Sequence, residues 1–279
     1  MDKKSGGRVK KFALIGSPIS HSISPKIHSE FARSLHLEIS YEALEVKKGS
    51  FIEETRKLFD QNYDGLNVTL PLKELAYQYA DEVTPRGKIS RAVNTLWKKD
   101  EKIYADTTDG VGFIEDLNNH SISLKDSSIL IVGAGGTAKS ILPTIISKKP
   151  KEVTVINRTQ SRLVSLVELF KENRTVIKTS NLHKRISGNI TGIINASSAG
   201  LLGEDIVVPD GVFNSAEWVY DLSYSKETTK FNSLAKKNGV MNCIDGLGML
   251  VHQAALSFEI WTGYKPDSRN AIKLIRSSL

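Results

Sequence analysis

The chain has 279 residues, 40% of them hydrophobic and 25% charged, with a net charge of +7 and a single cysteine, Cys243. That length can bury a sizeable core and divide into two domains. The composition excludes an intrachain disulfide, a cysteine metal cluster and any apolar run near the roughly 20 residues that span a bilayer.

The segment MDKKSGGRVKKFALIGSP is basic and then apolar, too short in its apolar part for a signal peptide. One unpaired cysteine suits a reducing, cytoplasmic setting. The lysines fall in scattered pairs such as Lys47-Lys48, Lys98-Lys99 and Lys236-Lys237. Without a nucleic-acid motif beside them they read as solvated surface, whose field favours an anionic substrate or cofactor.

Lys11 to Ile15 reads as a strand, and Ser24-Pro25 as a helix start continuing through Ile27, Phe31 and Leu35. Ser22 and Ser24 are either a cap and its neighbour or two hydroxyl donors for a carboxylate at a positive helix end. Spacing alone favours capping. Ile39 to Val46 alternates as a strand, and Phe51 to Phe59 is an amphipathic helix. A strand from Gly65 reaches Thr69 and is ended by Pro71. Lys73 then opens a helix to Ala80, where its charge opposes the helix dipole. Ala92 to Trp97 and Lys102 to Ala105 look like paired strands around the turn Lys99-Asp100-Glu101. Asp109 begins a helix through Phe113 and Leu117, a common place for an Asp that only caps.

Leu117 to Ser127 crosses into the stretch around which the rest is organised. Ile129-Leu130-Ile131-Val132 is a β-branched run suited to a strand buried on both faces, and it ends in Gly133-Ala134-Gly135-Gly136-Thr137-Ala138 before a helix through Ile141 and Ile145. The spacing G-x-G-x-x-A is that of a dinucleotide loop. Gly133 makes the turn, Gly135 lets a pyrophosphate approach, and Ala138 lets helix and strand pack closely. The next strand, Val153 to Ile156, ends in Asn157-Arg158-Thr159 rather than in an acid. Arg158, with Arg162 one turn on, suits a 2′-phosphate, so NADP is expected over NAD.

After a helix to Phe170, strands are expected at Thr175 to Lys178, Ile190 to Asn195, Trp218 to Asp221 and Gly239 to Ile244. A helix is expected over Phe231 to Lys237. This alternation implies a parallel sheet with helices on both faces. A long helix, Met249 to Trp261, and a short one, Ile272 to Ile275, close the chain.

Together these stretches resemble the shikimate dehydrogenase family over nearly the whole chain. Ser22-Ile23-Ser24-Pro25 looks like its substrate-carboxylate signature and Asn67 to Lys73, NVTLPLK, like its catalytic lysine motif. Ala92-Val93-Asn94-Thr95 looks like its substrate-diol motif and Thr108-Asp109-Gly110 like its catalytic aspartate. Asn195-Ala196-Ser197-Ser198 and Asp245 to Gln253, DGLGMLVHQ, are similar to its later motifs. The resemblance implies an α/β protein of two domains. A substrate domain (1–109) would be completed by the C-terminal helices (246–279), with a Rossmann-like NADP domain (110–245) inserted and the active site in the cleft. It implies reversible NADPH-dependent reduction of 3-dehydroshikimate to shikimate, without a metal, by a monomer or homodimer free of nucleic acid and membrane.

Lys73 would pass a proton to or from the reacting oxygen, with Asp109 orienting it. Ser22 and Ser24 would hold the substrate carboxylate, and Thr69, Asn94, Asp109 and Gln253 its hydroxyls, with Tyr224 nearby. NADP would meet Gly133, Ala134, Gly135, Gly136, Thr137, Asn157, Arg158, Thr159, Arg162, Ser197, Leu222 and Gly246. Thr107, Ala105, Ser29, Ser197 and Lys226 depart from the family's usual residues without removing a catalytic group. The two serines with Thr69 favour shikimate over quinate. The rival readings are an NAD-preferring quinate/shikimate dehydrogenase, a non-catalytic dinucleotide sensor and, far behind, a basic nucleic-acid-binding protein.

Overall fold

A computed structural model describes residues 8–173, 176–180, 186, 188–197, 199 and 206–279. Ser198 of the later motif and Thr175 of an expected strand lie outside these residues. The first half runs β1 (Lys10–Gly16), α1 (Ser24–Ser34), β2 (Ile39–Glu45), α2 (Phe51–Asp60), β3 (Gly65–Val68), α3 (Lys73–Tyr79), β4 (Glu82–Val83), α4 (Pro85–Ser90), β5 (Thr95–Lys99), β6 (Lys102–Asp106) and α5 (Asp109–Asn119). Its six-stranded sheet has the order β2-β1-β3-β5-β6-β4. β1 lies parallel to β2 and β3, whereas β5 runs antiparallel to both β3 and β6. The reversal comes from the expected tight turn, where Asp100 and Glu101 both take positive φ, as a two-residue hairpin requires.

The second half runs β7 (Ser128–Val132), α6 (Gly136–Ser147), β8 (Glu152–Ile156), α7 (Gln160–Leu169), β9 (Ile177–Ser180), β10 (Gly192–Asn195), β11 (Trp218–Asp221), α8 (Lys230–Lys237), β12 (Asn242–Asp245), α9 (Leu247–Thr262) and α10 (Ser268–Ser277). Its six strands are all parallel, in the order β12-β11-β10-β7-β8-β9. Every residue of β7, β10 and β11 is buried. That is why those segments read as continuous apolar runs rather than as alternations. Separate apolar clusters cover the two faces, one built on Ile129, Ile131 and Ile141, the other on Leu130, Val132 and Phe231.

The C-terminal helices return to the first sheet. Trp261 of α9 stacks on Phe12 of β1 with centroids 4.7 Å apart, and its indole N–H donates to the Leu96 carbonyl. Val251, Ala254 and Phe258 of α9 and Ala271 and Ile275 of α10 share a core with Ile27 and Phe31 of α1. The helix that joins the two sheets, α5, is held on both sides by close contact. A Cβ on Gly110 would fall 2.2 Å from the Thr144 hydroxyl of α6, and one on Gly112 within 2.9 Å of Gln253 and Met249 of α9. Two side-chain-free positions therefore let one helix touch both halves, and they fix where Asp109 at its start can point.

Local expectations fail in instructive places. α1 starts at Ser24 itself; Ile23 precedes it and no side chain caps it, while the Ser22 hydroxyl accepts from the Ser24 N–H at 3.2 Å. Capping is thus not what Ser24 does. β4 and α4 were absent from the pattern, although Thr84-Pro85 carries an N-cap and a first-turn proline, and Thr84 does accept from the Gly87 N–H. α10 is longer than the apolar stretch implied because Asp267 caps it through the Asn270 N–H.

Candidate active site

β3 ends at Val68 and α3 starts at Lys73, so the lysine stands at the mouth between the two sheets. A lysine at a helix start is locally unfavourable, and its partner explains it. Lys73 Nζ donates to Asp109 Oδ2 at 2.6 Å, and both residues are buried. Asp109 is the first residue of α5; no side-chain cap bond forms there. Its carboxylate takes the lysine on one oxygen and the Asn94 amide on the other, at 2.9 Å. It is therefore a member of the site rather than a cap.

Asn94 lies in the bend before β5 and is 3% exposed. Its Nδ2 has three acceptors within 2.9 Å, namely Thr108 Oγ1, Asp109 Oδ1 and Gln253 Oε1. Two hydrogens cannot fully serve three acceptors, which leaves capacity for a ligand hydroxyl. Thr108 Oγ1 in turn donates to Gln253 Oε1 at 3.2 Å, and Gln253 Nε2 to the Leu250 carbonyl. Lys73, Asn94, Asp109 and Gln253, separated by up to 180 positions in the sequence, thus form one group.

At the other end of the first sheet's mouth, Ser22 Oγ and Ser24 Oγ are 3.2 Å apart. Tyr224, in the loop after β11, packs against the same apolar cluster as Ile23, the residue between them, and burial raises its phenol above its ordinary range. Thr69 is half-buried, with its N–H on the Ile15 carbonyl and its own carbonyl taking the Leu72 N–H. Two positions that sequence reasoning passed over complete this region. Tyr41 donates to Asn67 Oδ1 at 2.7 Å, and Ser257 lies fully buried between Asn67 and Thr95.

The glycine loop faces the lysine directly. Gly133 has φ +109°, and a Cβ there would come within 2.9 Å of the Ala196 and Ser197 backbone, so only glycine fits. Gly135 is extended, with open space where a Cβ would be. α6 starts at Gly136 with no side-chain cap and no acid in its first turn, which leaves its N–H groups to an anion. Asn157 at the end of β8 accepts the Ala134 N–H at 3.2 Å and so fixes the loop. Arg158, Thr159 and Arg162 are exposed beyond it. Ser197 Oγ donates to Asn195 Oδ1 at 2.7 Å. The Leu222 N–H bonds the Asn195 carbonyl, and the Gly246 N–H bonds the Ser223 carbonyl. These residues fit a phosphorylated dinucleotide: an open, uncapped helix start for a pyrophosphate, and two arginines after β8, where the sequence Asn157-Arg158-Thr159 carries no acid, for a 2′-phosphate.

Two links cross the mouth. Lys73 Nζ reaches Thr137 Oγ1 at 3.4 Å, and Lys139 of α6 pairs with Glu74 of α3 at 3.0 Å. The group that could pass a proton therefore lies against the loop that could carry a cofactor.

Family models match three parts of the chain. The shikimate dehydrogenase substrate binding domain matches residues 14–96, the shikimate/quinate 5-dehydrogenase model 116–207, and the shikimate 5′-dehydrogenase C-terminal domain 246–276. A shikimate dehydrogenase (NADP+) from Vibrio atlanticus is 41% identical over 273 residues, 98% of each chain. Among solved structures, an Ael1 enzyme from Pseudomonas putida is 31% identical with a TM-score of 0.85, covering 95% of this chain and 97% of that one. The shikimate 5-dehydrogenase of Thermus thermophilus, in complex with NADP(H) and shikimate, is 31% identical with a TM-score of 0.82 over 97% of this chain and all of the other. Among the described residues, no helix is long and apolar enough to cross a membrane.

Proposed function

This chain belongs to the shikimate dehydrogenase family, and from that membership we propose which of its residues carry the reaction. The activity is the reversible, NADP-dependent interconversion of shikimate and 3-dehydroshikimate. When bound, NADPH supplies the hydride for the ketone carbon. Lys73 acts at the oxygen of that carbon. Its ammonium donates the proton that the developing alkoxide needs and takes it back in the reverse direction. Asp109 holds the ammonium in place through the 2.6 Å contact. Burial of the pair keeps water from competing for the same atoms.

Ser22 and Ser24 bind the substrate carboxylate, with Tyr224 closing that pocket from the cofactor side. Asn94, Asp109, Gln253 and Thr69 take the hydroxyls. Both serines and Thr69 favour shikimate over quinate. The working division is residues 1–109 with 246–279 for substrate and 110–245 for cofactor. Arg158 and Arg162 take the 2′-phosphate, and Gly133 to Thr137, Asn157, Thr159, Ser197, Leu222 and Gly246 line the rest.

The observation that carries this reading is the buried Lys73–Asp109 pair facing the glycine loop. Initial rates of shikimate oxidation with NADP+ and NAD+, for wild type beside Lys73→Ala, test it. The wild type turns over with preference for NADP+. The variant loses about 10²- to 10⁴-fold in kcat, the usual range for a proton-transfer group. Circular dichroism checks its fold, since Asp109 is left buried and unpaired. A variant rate within tenfold of wild type would remove Lys73 from the mechanism.

A further inference from the structure

The two ends of the substrate site, the Ser22–Ser24 pocket and the Asp109 carboxylate, are joined by buried polar side chains that no step above uses. The orientation of the two amides among them can be read off from atoms with only one possible role. The Thr108 N–H can only donate, and it points at Asn94 Oδ1 at 2.8 Å. The Asn94 amide is therefore oriented with its nitrogen toward Asp109. The Asn94 backbone carbonyl can only accept, and it takes Asn67 Nδ2 at 3.0 Å. Asn67 thus turns its oxygen to Tyr41, which must donate. The same Asn67 nitrogen donates to Ser257 Oγ at 3.0 Å.

Asn94 Oδ1, already fixed as an acceptor, can take the Thr95 hydroxyl hydrogen at 3.1 Å. In the 2.7 Å contact between Thr95 and Ser257 either oxygen can donate, and the Ser257 hydroxyl also lies 3.2 Å from the Gln253 carbonyl, which can only accept. Tyr41 lies beside Ser24. Ser24 accepts from Ser22. The links form one hydrogen-bonded chain from Tyr41 through Asn67, Ser257, Thr95 and Asn94 to Asp109 Oδ1, with both amides fixed in orientation. Reversing either amide would set donor against donor in a buried place. Linked hydrogen bonds also polarise one another.

We propose that Tyr41, Asn67, Ser257 and Thr95 are positioning residues, forming a buried hydrogen-bond chain that holds the Asn94 amide and, through it, the Asp109 carboxylate in the orientation Lys73 needs. This rests on the assignment of Lys73 and Asp109 above. Ser22 and Ser24 can turn their hydrogens to a substrate carboxylate without reversing any link beyond Tyr41. The chain is thus intact with substrate bound. Ser257 matters because it stands between Asn67 and Thr95 from α9, so the returning C-terminal helix supplies a part of the site besides Gln253.

The test is steady-state shikimate oxidation with NADP+, together with thermal melting, for wild type, Thr95→Val, Thr95→Ser, Ser257→Ala and Tyr41→Phe. Loss of one link near Asp109 is expected to lower kcat about tenfold in Thr95→Val, less in Ser257→Ala and only two- to threefold in Tyr41→Phe. The KM for NADP+ is unchanged throughout. Thr95→Ser loses a buried methyl that Thr95→Val keeps but retains the donor, so it melts early while its kcat stays within about twofold of wild type. Thr95→Ser as slow as Thr95→Val, or kcat losses that follow melting temperature instead of distance from Asp109, would overturn the proposal. A wild type that does not oxidise shikimate would overturn the assignment beneath it, and the chain with it.

Discussion

The two sides of the mouth solve recognition differently. Around Lys73 the polar groups are side chains that satisfy one another, and Asn67, Thr95, Asn94, Thr108, Asp109 and Ser257 are all at most 4% exposed. Around Gly135 they are backbone N–H groups at an uncapped helix start, beside open space. A side-chain network depends on the identity of each residue and punishes any loss with an unpaired buried partner. A backbone cradle depends only on side chains staying out of the way. Substitutions on the first side should therefore act through chemistry and stability together. Those on the second should separate fold from cofactor binding.

The largest expected effect lies behind the side-chain network. His28 is fully buried, stacked on Tyr41 at 4.0 Å and surrounded by Phe31, Phe258 and Trp261. Among the described residues neither ring nitrogen has a partner at hydrogen-bond geometry, and burial lowers its pKa to about 3, the nearby Asn67 offsetting this only in part. The folded state therefore holds His28 neutral where the unfolded chain, titrating near 6.5, would protonate it. Its contribution is full above about pH 6.5 and is lost progressively as pH falls toward 3, by up to about 5 kcal/mol. Urea unfolding between pH 7.5 and 4 measures it. His28→Phe keeps the aromatic stack and should flatten the acid limb. An equally steep limb in that variant would place the acid sensitivity elsewhere.

On the cofactor side, Gly133 and Gly135 separate the two demands. Gly133→Ala forces a Cβ into the Ala196 carbonyl at positive φ, and should cost about 1–3 kcal/mol of stability. Gly135→Ala meets nothing within 4 Å and keeps an ordinary φ of −85°. It should melt like wild type while its KM for NADP+ rises. Equal melting losses in the two variants would mean that the loop is not the backbone cradle described here.

The same contrast decides what the sequence could reveal. The glycine loop is contiguous, so its spacing, the apolar β7 before it and Asn157-Arg158-Thr159 after β8 were legible as a strand-turn-helix unit of dinucleotide-binding pattern. Lys73 was visible as a broken local rule, a cation at a helix start, but its partner 36 residues away was not implied by spacing; the family resemblance supplied Asp109. Tyr41 and Ser257 were missed because nothing local distinguishes a strand tyrosine or a helix serine from surface polarity. Their role exists only once β2, β3, β5 and α9 are brought together. Ser24 was misread in one respect, since the strongest local signal for a serine before proline is a cap and the helix starts one residue earlier.

Arg158 is the side chain proposed for the 2′-phosphate on the cofactor side, and there the expected effect is smallest. It is exposed at the end of β8, with Arg162 one turn further along α7. An exposed guanidinium facing a phosphate acts through a screened field plus a fork of hydrogen bonds. Arg158→Ala should therefore raise the KM for NADP+ about tenfold, as for the loss of one charge-assisted contact. The KM for NAD+, which lacks the 2′-phosphate, and the melting temperature should stay where they were. Raising salt should shrink the difference between wild type and variant, because part of the interaction is screened within about 10 Å at 0.1 M. A variant that weakens both cofactors alike would place Arg158 among the residues that hold the loop. Selection against NAD+ would then have to come from Arg162 or from the absence of an acid after β8.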